Sequence, residues 1–278
     1  MVELVDDRLA AGGVRMWLKR DDLIHPEIPG NKWRKLKYNL LTAQEQGAKT
    51  LLTFGGAYSN HLQAVAAAGY YFGFDTIGIV RGEEHLPLNP SLAFAVSRGM
   101  RLGYLDRTTY RSKHTEPVIE QLRQEYGDFF LVPEGGSNAD ALRGCAELPA
   151  ELTIDFDVIC CACGTGGTLA GIASALQPGQ RAIGFAMLKG GSFLVDEVAQ
   201  FQASAGRVTA NWSVETQFHF GGYAKRKPEL DRFIEDFAER HGITLDWVYV
   251  AKMLYGVFAL VERGEFAPGT RIVTVVTG

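Results

Sequence analysis

Apolar runs long enough for a β-strand recur along the chain and alternate with stretches of helical character. Residues 50–54 (Thr-Leu-Leu-Thr-Phe) form one such run, which ends in Gly55-Gly56 and is followed by a predicted helix over about 59–68. Further strands are predicted over 75–80, 101–104, 157–162, 181–187 and 270–276. Helices are predicted over 89–99, over 169–176, and over 228–241, where the amphipathic pattern reads as an exposed helix. An extended segment over 17–23 leads to a turn at Pro29-Gly30, which places Lys32 at a helix start. Strands alternating with helices predict an α/β protein with a mostly parallel sheet and helices on both faces. In such sheets ligands bind beyond the carboxyl ends of the strands. Two glycine-rich turns, 55–56 and 164–167, fall at strand ends. Residues 87–90 and 133–138 carry turn signals, and the second reads as a crossing between domains.

Composition narrows the function class. With 46% hydrophobic and 22% charged residues over 278 positions, the chain is globular, with one large domain or two medium ones. A formal charge of −4 leaves no basic surplus for a nucleic acid, although a small anion held locally is compatible with it. No stretch approaches the ~18 uncharged apolar residues of a spanning helix. Residues 1–10 lack the basic start and apolar run of a signal peptide. The expectation is a soluble, cytoplasmic protein with neither membrane nor nucleic-acid partners. Cys160, Cys161 and Cys163 crowd one strand-like run, a poor disulfide framework, and their C-x-x-C is read as packing rather than redox or metal chemistry. The histidines show no metal-ligand spacing, and no metal is expected. A Gly-x-Ser-x-Gly nucleophile elbow is absent.

Three segments can carry chemistry. Gly164-Thr165-Gly166-Gly167-Thr168 follows a buried strand and opens a helix. It is either a tight turn without a ligand or a cradle in which backbone N–H groups and two hydroxyls meet a phosphate. A dinucleotide fingerprint fails, because Leu169 stands where its last glycine belongs and no acid follows about 20 residues on. A Walker lysine is absent as well. The cluster Gly30-Asn31-Lys32-Trp33-Arg34-Lys35 is either a solvated helix face or a reactive-amine site. In the second reading the helix start and Lys35, one turn on, both favour a neutral amine on Lys32, and Lys35 can meet a phosphate. In 55–63, Ser59 or Asn60 is either an N-cap or, with His61, part of a carboxylate-binding helix start.

The motifs 19–22 (Lys-Arg-Asp-Asp), 30–36 (Gly-Asn-Lys-x-Arg-Lys-Leu), 55–61 (Gly-Gly-x-x-Ser-Asn-His), 133–138 (Pro-Glu-Gly-Gly-Ser-Asn) and 164–171 (Gly-Thr-Gly-Gly-Thr-x-Ala-Gly) occur in this order. Phe220-Gly221-Gly222-Tyr223 and Leu245-Asp246-x-Val248-Tyr249-x-x-Lys252 continue the series, which covers nearly the whole chain. Together they resemble the 1-aminocyclopropane-1-carboxylate deaminase and D-cysteine desulfhydrase family of fold-type-II, tryptophan-synthase-β-like pyridoxal-phosphate enzymes. The resemblance implies a small open-sheet domain, residues 35–140, inserted into a larger one formed by 1–34 and 141–278, with the cofactor in the cleft, and a homodimer. It implies that Lys32 carries pyridoxal 5'-phosphate as a Schiff base. Lys35 and the turn of Gly164, Thr165, Gly166, Gly167 and Thr168 would hold the phosphate, and Asn60 the ring hydroxyl. Ser59, Asn60 and His61 would receive the carboxylate of a small amino-acid substrate. Ser59 is also placed to act on that substrate. Tyr223 and Tyr249 would flank the substrate and assist proton transfer.

The implied activity is α,β-elimination or deamination of the D-cysteine desulfhydrase type, giving a 2-oxoacid and ammonia, with sulfide from cysteine. Cyclopropane-carboxylate deamination is the alternative, and a non-catalytic protein binding the cofactor or an amino acid is the rival from another class. Intact Lys32, Ser59, Tyr223 and Tyr249 argue against that rival. The chain departs from the family pattern in one place. The residue after the equivalent of Tyr249 is commonly Glu or Thr and contacts the pyridine nitrogen. Here it is Val250, which cannot hydrogen-bond. That favours substrates with a good β-leaving group over ring opening. Thr277 is a candidate substitute partner for the nitrogen.

Overall fold

The computed structural model describes residues 1–277; Gly278, the last residue of the expected large domain, lies outside them. In chain order the elements begin β1 (Val2–Leu4), α1 (Asp7–Ala11), β2 (Arg15–Arg20) and α2 (Asn31–Glu45). They continue β3 (Thr50–Gly55), α3 (Asn60–Phe72), β4 (Asp75–Arg81), α4 (Pro90–Ser97), β5 (Met100–Leu105), α5 (Arg107–Arg111), α6 (Glu116–Tyr126) and β6 (Phe130–Val132). Then come α7 (Ala139–Cys145), β7 (Val158–Cys163), α8 (Gly167–Ala173), β8 (Arg181–Ala186), α9 (Leu194–Ser204), β9 (Trp212–Glu215), α10 (Pro228–His241), α11 (Val250–Glu262) and β10 (Arg271–Val276). The alternation of strand and helix is the α/β pattern expected from the sequence. Among the elements the apolar pattern did not separate are the short strands β1, β6 and β9 and the helices α9 and α11.

The chain forms two compact units. One comprises residues 1–24, 29–31 and Ser137 onward; the other comprises 25–28 and 32–136. The first carries a six-stranded sheet in the order β1-β2-β10-β7-β8-β9. Only β1 runs antiparallel to its neighbour, and the other pairings are parallel. The second carries a four-stranded, wholly parallel sheet in the order β5-β4-β3-β6.

Successive strand side chains point to opposite faces, so each sheet is sandwiched between two apolar cores. In the six-stranded sheet Cys160, Ala162, Ile183, Phe185, Ile272 and Val276 join the face packed with α10 and α11 residues such as Phe237, Met253 and Leu254. Ile159, Cys161, Cys163, Ala182, Val273 and Val275 join the other, with Leu142, Leu169 and Val198 of α7, α8 and α9. In the four-stranded sheet Leu51, Val80 and Val132 pack with α2 and α3, while Leu52, Phe54, Ile77 and Ile79 pack with α6. The alternation also disposes of the C-x-x-C, since Cys160 and Cys163 lie on opposite faces of β7. All four cysteines are buried, and burial pushes the Cys160 thiol up to about 12. They are packing groups. The helix over 228–241 is amphipathic as predicted, burying Leu230, Phe233 and Phe237.

The start of the chain is tied to the end of α10 by one charged cluster. Asp6 caps α1 by accepting the Arg8 N–H at 2.9 Å, and its carboxylate takes the Arg8 guanidinium at 2.6 and 2.8 Å and His241 Nε2 at 3.1 Å. Arg8 also reaches Asp236 at 2.9 Å and stacks 4.5 Å above the Phe258 ring. The Arg8 hydrogen bonds hold the Asp6 carboxyl down at about 2, against an ordinary 3.8. The native state therefore binds this proton less tightly than the unfolded chain does. The stabilisation is complete above pH 3.8 and is lost as the pH falls through about 2. Asp6→Asn is expected to lower unfolding free energy by roughly 1–2 kcal/mol at neutral pH. In denaturant titrations at stepped pH, its gap from the parent should close between pH 4 and 2 (roughly the window of the shift).

Candidate active site

In the six-stranded unit the functional candidates gather beyond the carboxyl ends of β7 and β10. β7 runs into Gly164, and the chain turns through Gly166 at φ 80° before α8 begins at Gly167. Gly166 has no substitute there. Its φ disfavours an L side chain, and an added Cβ would stand 2.8 Å from Val198 Cγ2. Thr165 Oγ1 pairs with Ser137 Oγ at 2.8 Å, and Thr168 Oγ1 accepts from Asn31 Nδ2 at 3.4 Å. The turn is thus lined by hydroxyls, an amide and backbone N–H groups, a neutral donor set suited to a phosphate ester.

Tyr249 lies over this turn, because a Cβ on Gly164 would come 3.5 Å from its ring and 3.7 Å from its hydroxyl. Tyr223 meets Tyr249 edge to face, ring centroids 5.9 Å apart. Burial above all, then the neighbouring Tyr223, push the Tyr249 phenol well above its ordinary range. At neutral pH Tyr249 is a protonated phenol, able to donate a proton or a hydrogen bond. Its backbone is fixed by Asp246, whose carboxylate accepts the N–H groups of Val248, Tyr249 and Val250 at 3.1, 2.7 and 3.2 Å. Val250 opens α11 and is fully buried. Thr277 follows β10, and its backbone packs so closely on Gly30 that a Cβ there would come 2.2 Å from the Thr277 carbonyl oxygen. Gly30, at φ 55°, immediately precedes α2.

Lys32 is the second residue of α2 and is half-buried, while Lys35 is buried and donates from Nζ to the Gly135 carbonyl at 3.1 Å. β3 ends at Gly55, where a side chain would strike Ser59 and Leu62 at 2.7 Å. Ser59 is the N-cap of α3, accepting the N–H of His61 at 3.2 Å and of Leu62 at 3.4 Å. Asn60, the first helical residue, is exposed.

His61 turns its ring into the protein. Nε2 lies 2.8 Å from Thr53 Oγ1, and Thr53 donates its only hydroxyl proton to the Val132 carbonyl at 2.8 Å. The imidazole must therefore donate from Nε2, which leaves Nδ1 as a buried lone pair without a partner. Burial first, then the charges of Lys32 and Lys35, hold its pKa well below 6.5. Of this residue only the backbone N–H faces the helix start, and Ser59 already takes it.

In the six-stranded unit the structure brings together Thr165, Thr168, Tyr223 and Tyr249; in the other, Lys32, Lys35 and His61 are electrostatic neighbours. It adds Asn31, Ser137, Asp246 and Lys252, which the sequence reading quoted within motifs without giving them roles. Their side chains differ from the assigned ones only in which distant atoms they meet.

The chain matches the family described as pyridoxal-phosphate dependent enzyme over residues 6–278. A protein of Pyrococcus horikoshii provisionally named 1-aminocyclopropane-1-carboxylate deaminase is 31% identical, with 96% of this chain and 85% of that protein covered. The bifunctional D-cysteine desulfhydrase/1-aminocyclopropane-1-carboxylate deaminase of Arabidopsis thaliana mitochondria is 30% identical, with 96% and 72% covered. Among solved structures, one described as an ACC deaminase homologue superposes with a TM-score of 0.85 at 29% identity, covering 98% of this chain and 86% of that one.

The His61 geometry has a direct readout. In ¹⁵N-imidazole NMR its ring should keep the Nε2–H tautomer and show no protonation as the pH falls through 6.5, the ordinary histidine value. A full titration near 6.5 would contradict the buried, neutral assignment.

Proposed function

The chain belongs to the pyridoxal-phosphate-dependent enzymes, and on that premise we propose that it carries out α,β-elimination with deamination of a small amino acid, D-cysteine in preference to 1-aminocyclopropane-1-carboxylate. The observation that carries the reading is the donor-lined turn 164–168 with the protonated phenol of Tyr249 against it. That donor set fits a phosphate ester and needs no metal. Among the described residues no His, Cys, Asp and Glu group could hold a metal ion.

In this reading the N–H groups of 164–168, the Thr165 and Thr168 hydroxyls and Lys35 hold the phosphate. Lys32 is the covalent anchor through its ε-amine. Asn60 binds the ring hydroxyl. Ser59 and Asn60, at the helix start that His61 closes through its N–H to Ser59, receive the substrate carboxylate, and Ser59 faces the substrate. The cofactor supplies an electron sink for charge developing next to the substrate nitrogen. Tyr249, a neutral phenol partnered by Tyr223, moves a proton to or from the substrate. D-Cysteine and water give pyruvate, ammonia and sulfide.

Buried Val250 supports the preference, because it offers no hydrogen bond where relatives of the deaminase type place one. Ring opening is the second reading; the name of the Pyrococcus horikoshii relative favours it, and that of the Arabidopsis thaliana relative carries both activities. The proposal includes a homodimer, supported by the exposed run Tyr70, Tyr71 and Phe72. It also includes a reducing, cytoplasmic setting, supported by the thiols of Cys160, Cys161 and Cys163, which lie outside any disulfide. No described helix is long and apolar enough to cross a membrane.

Borohydride reduction of the holoenzyme followed by peptide mapping is expected to leave the pyridoxyl label on the peptide bearing Lys32. Label on another lysine refutes the anchor. Lys32→Ala should lose both label and turnover.

With D-cysteine or β-chloro-D-alanine, kcat/KM should exceed that for 1-aminocyclopropane-1-carboxylate by at least about tenfold, or roughly 1.4 kcal/mol of barrier. Assays of pyruvate against 2-oxobutyrate measure this. Equal values favour the second reading, and inactivity on both favours a binding protein.

A further inference from the structure

One buried cation lies outside the machinery assigned above. Lys252 sits three residues after Tyr249 on α11 and has no exposed surface. Its Nζ donates to the carbonyls of His219 at 3.1 Å and Gly222 at 2.9 Å. These carbonyls bracket the tight turn that ends at Tyr223. The turn is closed by Gly222 N–H to the same His219 carbonyl at 3.0 Å, by Gly221 N–H to His219 Nδ1 at 2.9 Å, and by Lys225 N–H to the Gly222 carbonyl at 3.1 Å.

The turn holds an unfavourable backbone. Phe220 at φ 54° and Ala224 at φ 49° are the described non-glycine residues with positive φ, and Gly221 and Gly222 lie between them at 100° and 123°. Conformations of this kind persist only where surrounding contacts over-determine them. Two contacts do so here. Phe220 is buried against Tyr255, 4.9 Å away ring to ring, and the Lys252 ammonium spans the carbonyls on either side of the glycine pair. A buried ammonium is costly unless its donors are used. Burial draws the Lys252 pKa down, with the Asp246 carboxylate opposing. Tyr223 itself is exposed, so little packing of its own fixes its hydroxyl.

We propose that Lys252 is a positioning residue, which holds the 219–222 turn from inside α11 and so fixes Tyr223 against Tyr249. The first turn of α11 then sets both phenols. Asp246 pins the Tyr249 backbone, and Lys252, one helical turn on, pins the segment that delivers Tyr223. A lysine suits this place because it reaches two carbonyls at once from a buried stem, whereas methionine fills the same space and donates nothing. The proposal rests on the reading that Tyr223 and Tyr249 serve the reaction.

A double-mutant cycle in the holoenzyme tests it, with Lys252→Met, Tyr223→Phe and the pair compared with the parent. Lys252→Met is expected to lower kcat by at least about tenfold with KM within about twofold, as for a misplaced group that acts in the transition state. In the Tyr223→Phe background the same substitution should change kcat by less than about twofold, since the hydroxyl it positions is gone. A purely structural lysine would lower kcat equally in both backgrounds, and that result overturns the proposal. If Tyr223→Phe alone leaves kcat/KM unchanged, the role given to Tyr223 fails, and the role of Lys252 fails with it.

A second readout does not depend on turnover. Tryptic cleavage after the exposed Lys225 and Arg226 should accelerate in Lys252→Met but not in Tyr223→Phe. Unchanged cleavage overturns the proposal. Lys252→Gln keeps two N–H donors, and it should restore at least about a third of the lost activity and slow the cleavage again. Should Lys252→Met fail to fold, Lys252→Leu, which also donates nothing, takes its place in the cycle, with the same coupling expected and the same equal loss overturning it.

Discussion

β7 is buried on both faces, and the functional arrangement of its unit follows from that constraint. Its side chains are committed alternately to the core against α10 and α11 and to the core against α7, α8 and α9. None is left to meet a ligand. What the strand can offer lies beyond its carboxyl end, where the chain leaves the sheet and its N–H groups lose their strand partners. Gly166 turns the backbone there at a positive φ, where a side chain would strike Val198, and Gly164 lies within ordinary contact distance of the Tyr249 ring. β10, the next strand, ends in the same way, and the Thr277 backbone seats itself on Gly30 just before α2 starts. One parallel sheet thereby brings the glycine-rich turn and the entry to the lysine-bearing helix to one end of the unit.

In the four-stranded unit, polar groups hold the turns and helix starts in place. Ser59 caps α3, Thr53 is shared between His61 and the Val132 carbonyl, and Lys35 takes the Gly135 carbonyl. Glu134, beside it, accepts from the Tyr110 hydroxyl at 2.9 Å and from Lys113 at 3.0 Å. Such networks trade side-chain freedom for a fixed backbone, which a site that orients a substrate needs. A motif residue can therefore serve its turn and its ligand together. The N-cap role of Ser59 and its expected contact with a carboxylate use different lone pairs of one oxygen.

The two tyrosines distinguish the six-stranded unit more than its glycine-rich turn does. A donor-lined turn binds an anion in many proteins without any chemistry. A buried phenol kept protonated beside that turn, with its backbone pinned by Asp246 and a second phenol against it, has a use in moving protons. Val250 stands next in the chain and contributes only packing.

Much of the fold was written in local pattern. Strand runs, glycine-rich turns and the motif order were readable because each depends on the period of its own segment and on backbone conformations that glycine alone adopts easily. Short strands such as β6 and β9 escaped, since three or four residues carry too little period to register. Ligand roles for Lys32, Ser59 and the 164–168 turn could be proposed from the chain alone. The state of His61 could not, because its neutrality comes from burial and then from two neighbouring lysines, and its tautomer from Thr53 and Val132. Nor could the contact of Thr277 with Gly30 or the hold of Lys252 on the 219–222 turn. Residue type and spacing determine what a segment is able to donate, accept or bend. Only the packed structure decides which of those capacities is used, because burial and a partner from far along the chain set the cost of leaving any of them unused.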